Sequence, residues 1–217
     1  MDTSEILELF DEQMRPRGIF EGNGYTMVFR PPDDGDVEGL IEKLRSYDGY
    51  REWKYYSHDG PELRERLLAA GLEPDDEETV VVAEAASLEP APAEVDIRVA
   101  TDEFVDLAHR VFGGRRHELE PQSVAVVAFV DGQAVSGGRI DFEKDTDFAG
   151  LFGGVTLPEY RGRGLYRATV AKRAELARER GYRLLFVDAL PTSRPILERL
   201  GFVRLTATTP FNPPAAR

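Results

Sequence analysis

The stretch FAGLFGGVTLPEYRGRGLYRATVAKRAELARERGYRLLFVDA, residues 148–189, restricts the possible folds more than any other part of the chain. An apolar run ends at Pro158 and Glu159, and a turn rich in arginine and glycine follows. Residues 165–180 then carry a helical pattern that Gly181 stops. A second β-rich run, YRLLFVDA, comes next. Strand, turn, helix and strand in this order point to an α/β domain.

The flanking segments extend the pattern. VDIRVA reads as a strand, and Thr101 can cap a helix over DEFVDLAHRVF, whose Phe104, Val105, Leu107, Ala108, Val111 and Phe112 suit one face. VAVVAFV and QAVSGGRIDF form a hairpin around Asp131-Gly132. A short helix over 191–200 ends at Gly201, and FVRLTAT begins the last strand. The order β-α-β-β-β-α-β-α-β predicts a mixed sheet flanked by helices. Before it, residues 25–84 read as a smaller β-α-β-α-β lobe preceded by a helix over 4–13. SLEPAPAEV has two prolines and no apolar period, so lobes over 1–88 and 95–217 with a linker at 89–94 are expected. GYREWKYYSHDGPELRERLLAAGL and GYRLLFVDALPTSRPILERLGF share a Gly-Tyr-Arg start and Glu-Arg-Leu before a terminal glycine, which reads as a degenerate duplication.

Composition removes several functional classes. The chain has no cysteine, so thiol nucleophiles and thiolate metal sites are excluded. His58, His109 and His117 share no ligand-like spacing, and no metal is expected. A net charge of −13 argues against nucleic acid as a partner. No run reaches the roughly 20 apolar residues of a membrane span, and the acidic, amphipathic MDTSEILELFDEQ is unlike a signal peptide. A cytoplasmic protein, monomer or homodimer, is expected.

Against this acidic background the turn at 157–168 concentrates positive charge. A glycine-rich turn feeding a helix is suited to anions, because the first helical N–H groups lack internal partners and the dipole is positive there. Gly162 and Gly164 allow close backbone approach, and Arg161, Arg163 and Arg167 add phosphate-directed charge. The other reading is a surface turn with solvated arginines. The corresponding N-terminal turn, RPPDDGDVEG, carries Asp33, Asp34 and Asp36 and two prolines, which oppose phosphate binding. One cofactor site per chain is therefore expected.

VTLPEYRGRGLYRATV followed by PTSRPILERLGF resembles the GNAT superfamily of acyl-CoA-dependent N-acetyltransferases. Arg161 and Gly164 match that family's Gln/Arg-x-x-Gly-x-Gly/Ala phosphate motif, and Tyr166 departs at its last position. Leu200, Gly201 and Phe202 match the family's terminal Leu-Gly-Phe, and the likeness covers residues 96–208. The smaller N-terminal lobe looks like half such a domain. The resemblance implies acetyl-CoA as co-substrate and an amine of a small molecule or peptide as acceptor. It implies that backbone groups of Val155, Thr156 and Leu157 follow the pantetheine arm, and that Gly162, Arg163, Gly164, Leu165, Tyr166 and Arg167 cradle the pyrophosphate with Arg161. It also implies a bulge before the loop, for which Gly153 and Gly154 are suited.

Many members carry a tyrosine acid five residues before the phenylalanine of Leu-Gly-Phe, where this chain has Leu197. Tyr166 or Tyr160 is the substitute acid, with packing of the first helical turn as the alternative for Tyr166. Asp141, Glu143 and Asp147 are the general-base candidates, with a solvated acidic turn as their alternative. His117 and Glu118 lie in a loop that can face an acceptor, whereas His109 and His58 receive no role. Trp53, Tyr55 and Tyr56 read as core. Two readings stay open: an acetyltransferase, and an acyl-CoA-binding sensor with impaired catalysis.

Overall fold

The computed structural model describes residues 2–22, 25–31, 35–47, 49–113 and 118–214. These divide into two compact units. Unit 1 comprises Met1–Val80, Asp188–Pro191 and Arg204–Arg217, and unit 2 comprises Val81–Val187 and Thr192–Val203.

Unit 1 begins with helix α1 (Thr3–Met14), capped by Asp2, whose carboxylate accepts the Ser4 N–H at 2.9 Å. Strands β1 (Ile19–Gly22) and β2 (Tyr25–Val28) pair antiparallel. Helix α2 (Val37–Ser46) starts at Asp36, which accepts the Gly39 N–H at 2.8 Å. Strand β3 (Tyr50–Tyr56) returns parallel to β2. Helix α3 (Pro61–Ala69) opens on a proline, whose fixed φ suits a first helical position. Strand β4 (Glu73–Pro74) and β5 (Glu78–Glu84) follow.

The residues of β3 divide by parity. Trp53 and Tyr55 pack with Val37, Leu40, Ile41 and Leu44 of α2 and Leu63 and Leu67 of α3. Glu52, Lys54 and Tyr56 occupy the other face, where Tyr56 meets Phe10 of α1 at 6.0 Å between ring centroids. Arg15 is fully buried over the Tyr56 ring, at 4.0 Å, and bonds both oxygens of Asp59 at 2.6 and 2.7 Å.

Unit 2 is built on β6 (Asp96–Val99), helix α4 (Thr101–Phe112), β7 (Ser123–Val130), β8 (Gln133–Phe142), β9 (Phe148–Thr156), helix α5 (Leu165–Glu179), β10 (Leu184–Ala189) and helix α6 (Arg194–Arg199). Strands β6 to β9 form an antiparallel meander, and β10 joins β9 in parallel. The result is the expected α/β architecture of a mixed sheet flanked by helices. Phe104 and Leu107 of α4 bury against Ala125, Val127 and Ala128 of β7 and Val155 of β9.

The final strand, β11 (Val203–Asn212), runs antiparallel to β3, pairing Thr208 with Tyr56 and Phe211 with Trp53, and residues from Arg204 onward fall in unit 1. Phe211 is fully buried in the α2–α3 core, which supplies the physical reason. Conversely, β5 is hydrogen-bonded to β10, and Ala85 just past it donates to the Arg183 carbonyl at 2.9 Å within unit 2.

Candidate active site

The site in unit 2 starts from a bulge. Ser136 pairs with Thr156 and Gly137 with Val155, but Arg139 pairs with Phe152. Gly138 therefore faces two residues, Gly153 and Gly154. This extra residue bends and twists the strand. Gly153 has φ +60°, a conformation side chains rarely adopt, as expected of a bulge glycine. The β9–β10 ladder runs through Phe148, Ala149 and Gly150 and ends there. From Leu151 onward β9 stays paired to β8, so its other edge is left open beyond Gly150.

The geometry narrows the expectation for Val155, Thr156 and Leu157. Leu157 N–H donates to the Val135 carbonyl at 2.9 Å, and Val155 C=O accepts the Ser136 hydroxyl at 3.0 Å. Both groups are turned toward β8. Backbone direction alternates along a strand, so Thr156 presents its backbone to the open edge. Its carbonyl accepts Arg161 Nε at 3.3 Å.

Beyond β9 the chain makes a 3₁₀ turn over Pro158–Tyr160. Gly162 and Gly164 follow with φ of +74° and +77°. A Cβ at either would meet nothing within 4 Å, so backbone conformation rather than crowding calls for glycine. Ala168 N–H donates to the Gly164 carbonyl at 3.0 Å, the first turn of α5. The N–H groups of Leu165, Tyr166 and Arg167 precede it and have no acceptor within the helix. Leu165 is buried and anchors the turn, while Arg161, Arg163 and Arg167 are exposed. Arg163 lies over the Tyr160 ring at 5.2 Å. Glycine conformation, orphan N–H groups and guanidinium groups thus converge on one surface.

Tyr166 lies on the sheet-facing side of α5. A Cβ on Gly154 would come within 2.7 Å of Tyr166 Cε2, so the ring occupies the place a side chain there would take. Two helical turns later, Arg173 does the same at Gly138, where a Cβ would lie 2.6 Å from Nη1. Arg173 is 1% exposed. Its Nε donates to the Thr169 carbonyl and its Nη1 to the Arg139 carbonyl, both at 3.1 Å. Its Nη2 has no hydrogen-bond partner among the described residues. Burial raises the Tyr166 pKa, and the Arg173 charge works against that rise. Burial also lowers the pKa of Arg173, with Tyr166 and Asp141 opposing.

The base candidates sit further along β8. Asp141 pairs with Gly150, six residues from Thr156, which is about 20 Å along an extended strand. Its carboxylate is engaged by the Ser123 hydroxyl at 2.6 Å and by Arg139 Nε at 3.0 Å. Burial, then the Asp141 charge, raises the pKa of Glu143. The Asp147 backbone carbonyl accepts the N–H groups of Arg183 and Leu184, fixing the start of β10. Tyr160 reaches Gln133 at 3.5 Å. Leu197 is fully buried and puts no acid at the family's tyrosine position. Glu118 and His109 are exposed. His117, Asp33 and Asp34 lie outside the described residues. In unit 1, Asp36 is spent as the α2 cap, and His58 Nδ1 lies 2.8 Å from Thr206 Oγ1.

Sequence reasoning missed Arg173, Arg139 and Phe152. Arg139 lies over the Phe152 ring at 5.2 Å while its Nε holds Asp141. The available signal was an arginine inside the apolar stripe of α5, with a glycine, Gly138, opposite it in β8. Among the described residues, no three acidic or histidine side chains are placed to hold a metal ion, and no helix is long and apolar enough to cross a membrane.

Comparison with known proteins agrees with this geometry. The family model described as "Acetyltransferase (GNAT) family" matches residues 88–202. A GCN5-related N-acetyltransferase from Kribbella flavida has a similar fold, with a TM-score of 0.70 and 20% identity over 98% of this chain and 96% of that one. A GCN5-related N-acetyltransferase from Sphaerobacter thermophilus gives 0.63 at 12% identity, over 89% of this chain and 74% of that one. A functionally unknown conserved protein from Staphylococcus epidermidis gives 0.57 at 16% identity, over 86% and 83%. No curated protein matches the sequence. The matched segment includes the bulged strand, the glycine-arginine turn and α5, and the chain belongs to the acetyltransferase (GNAT) family.

Proposed function

We propose that the chain transfers an acetyl group from acetyl-CoA to the primary amine of a small molecule or peptide. The observation that carries this reading is the glycine-arginine turn, which brings the orphan N–H groups of α5 beside the open edge of β9. The residues fit a diphosphate-bearing ligand. Gly162 and Gly164 hold the turn open in left-handed conformation, and Arg161, Arg163 and Arg167 supply exposed positive charge.

Acetyl-CoA supplies the activated acyl group when bound. In this reading the outward-facing N–H of Thr156 stands where a donor to a thioester carbonyl oxygen is useful. The acceptor nitrogen attacks as a neutral amine, so a proton must leave it, and the departing thiolate must gain one. Tyr166 is the tyrosine nearest the bulge and serves as the candidate acid, because Leu197 has no proton to give. Asp141 and Glu143 stand about 20 Å or more along the strands from Thr156, beyond hydrogen-bond reach, so in this reading the amine proton leaves to solvent. The buried Leu197 favours a second reading, an acyl-CoA sensor with weak or no transfer.

Calorimetric titration with acetyl-CoA tests the cofactor assignment. The parent chain binds, and an Arg161→Glu, Gly164→Glu double variant of unchanged circular dichroism does not. Equal affinity in both would overturn the assignment. Thiol release against a panel of amines, polyamines and peptide N-termini then separates enzyme from sensor.

A further inference from the structure

A second concentration of charge lies within unit 1, on the face of β3 opposite its Trp53 side. Lys54 is paired with Asp188 of β10, and their side chains are 12% and 9% exposed. Asp188 uses Oδ2 for this contact. Its Oδ1 is buried and has no hydrogen-bond partner among the described residues. Glu52, two residues from Lys54 on the same face, is buried and accepts the Tyr50 hydroxyl. Glu78 of β5 completes the group, with Asp75 contributing further negative charge.

Three carboxylates therefore share one lysine. Burying a charge without a counter-charge is strongly unfavourable, and one ammonium cannot balance Glu52, Glu78 and Asp188 together. The local electrostatics agree. Burial, then the Asp188 charge, pushes Glu78 up to about 7, and burial also raises Glu52. The charged neighbours of Glu78 are Asp188, Lys54, Glu52 and Asp75. Among the described residues these carboxylates do not converge into a metal shell. An ammonium group, with three divergent N–H donors, can span acceptors spaced more widely.

We propose that Glu52, Glu78 and Asp188 form a receptor for the primary ammonium group of a small organic amine. The ammonium donates to the orphan Asp188 Oδ1 and to the carboxylate of Glu78. Where Glu78 begins protonated, its proton passes to the solvent buffer as the cation binds, and the ligand stays charged. This stands apart from the acyl-transfer reading, and its test needs no acetyl-CoA.

The test is calorimetry on the full chain with n-butylammonium chloride and with n-butanol, at about pH 6, in buffers of different ionisation heat. Saturable binding of butylammonium, none of butanol, and a buffer-dependent heat showing proton release are the expected results. Glu78→Gln removes the proton release and weakens binding roughly tenfold or more. Asp188→Asn leaves Lys54 buried without its partner and can unfold, so the half-buried Glu78 is the decisive position. Absence of saturable binding to the folded parent, or equal affinity in Glu78→Gln and in Glu52→Gln, Glu78→Gln, would overturn the proposal. So would an equal response to potassium at matched ionic strength.

Discussion

The Tyr166 ring fills the space above Gly154, with Cε2 2.7 Å from where a Cβ would stand. The family motif has a small residue at position 166, and this chain has a large one. Its strand is correspondingly stripped to glycine at 154. The tyrosine is thus accommodated by the bulge and leaves the glycine-arginine turn undisturbed.

The pairing predicts strong coupling. Gly154→Ala forces the ring aside and costs about 1–3 kcal/mol, the range for overpacking a filled site. Tyr166→Ala alone costs about 2–3 kcal/mol, below a fully buried aromatic because the ring is half-exposed. With the ring gone, the three atoms nearest the added methyl of Gly154→Ala are gone too. The double variant is therefore less destabilised than the sum of the singles, which urea unfolding midpoints measure through a double-mutant cycle. Additivity would mean that the contact carries no energy.

Gly164 separates cofactor binding from folding. Its φ of +77° disfavours any Cβ, although the space around it is empty. Gly164→Ala should cost about 1–2 kcal/mol in stability, and Gly164→Asn less, since asparagine tolerates the left-handed region. Neither changes the charge of the turn. Acetyl-CoA affinity should therefore follow backbone conformation, with Asn closer than Ala to the parent in a calorimetric titration.

Arg173 is a buried cation with no carboxylate partner among the described residues, held by two carbonyls and the Gly138 surface. Replacing a buried charge by an apolar side chain of similar length is often neutral. Arg173→Met should stay within about 1 kcal/mol of the parent, while Arg173→Ala leaves a cavity and loses roughly 2–5 kcal/mol. The charge has a separate readout, since Arg173 opposes the rise of the Tyr166 pKa. In Arg173→Met, Tyr166 should ionise at higher pH than in the parent, as ultraviolet titration against matched Tyr166→Phe controls would show. An unchanged Tyr166 titration would leave Arg173 with packing alone.

Much of unit 2 was legible because local rules and tertiary context agree there. The apolar run, glycine turn and periodic helix from Phe148 to Glu179 each announce their conformation within a few residues, and Gly153 and Gly154 marked the bulge. The partner of β11 was not legible. Its apolar pattern suits either sheet, and the choice of β3 rests on Phe211 reaching a core formed by α2 and α3. Arg173 was hidden for another reason. In a helix with three arginines, nothing local distinguishes the one that lies beneath Gly138. The acidic group at Glu52, Glu78 and Asp188 is assembled from three strands far apart in the chain, so no spacing rule could find it.

Glu78 also makes unit 1 sensitive to pH. Its carboxyl is raised from 4.5 to about 7 in the folded chain, by burial first and by Asp188 next. Between those values the folded state retains a proton that the unfolded chain has released. The contribution of Glu78 to stability is therefore fully present below about 4.5, declines as pH rises toward 7, and is gone above it. Glu78 is partly exposed, and screening reduces the size of the effect without changing its sign. Glu78→Gln removes this titration while keeping side-chain size. Relative to the parent, the variant should gain thermal stability progressively from about pH 5 to pH 7 and hold a constant advantage above that range. A butylammonium salt should raise the parent's midpoint most near pH 7, where the ionised carboxylate needs a counter-charge, and should leave the midpoint of Glu78→Gln nearly unchanged. Parallel pH profiles for parent and variant would show that Glu78 titrates as an ordinary surface carboxylate.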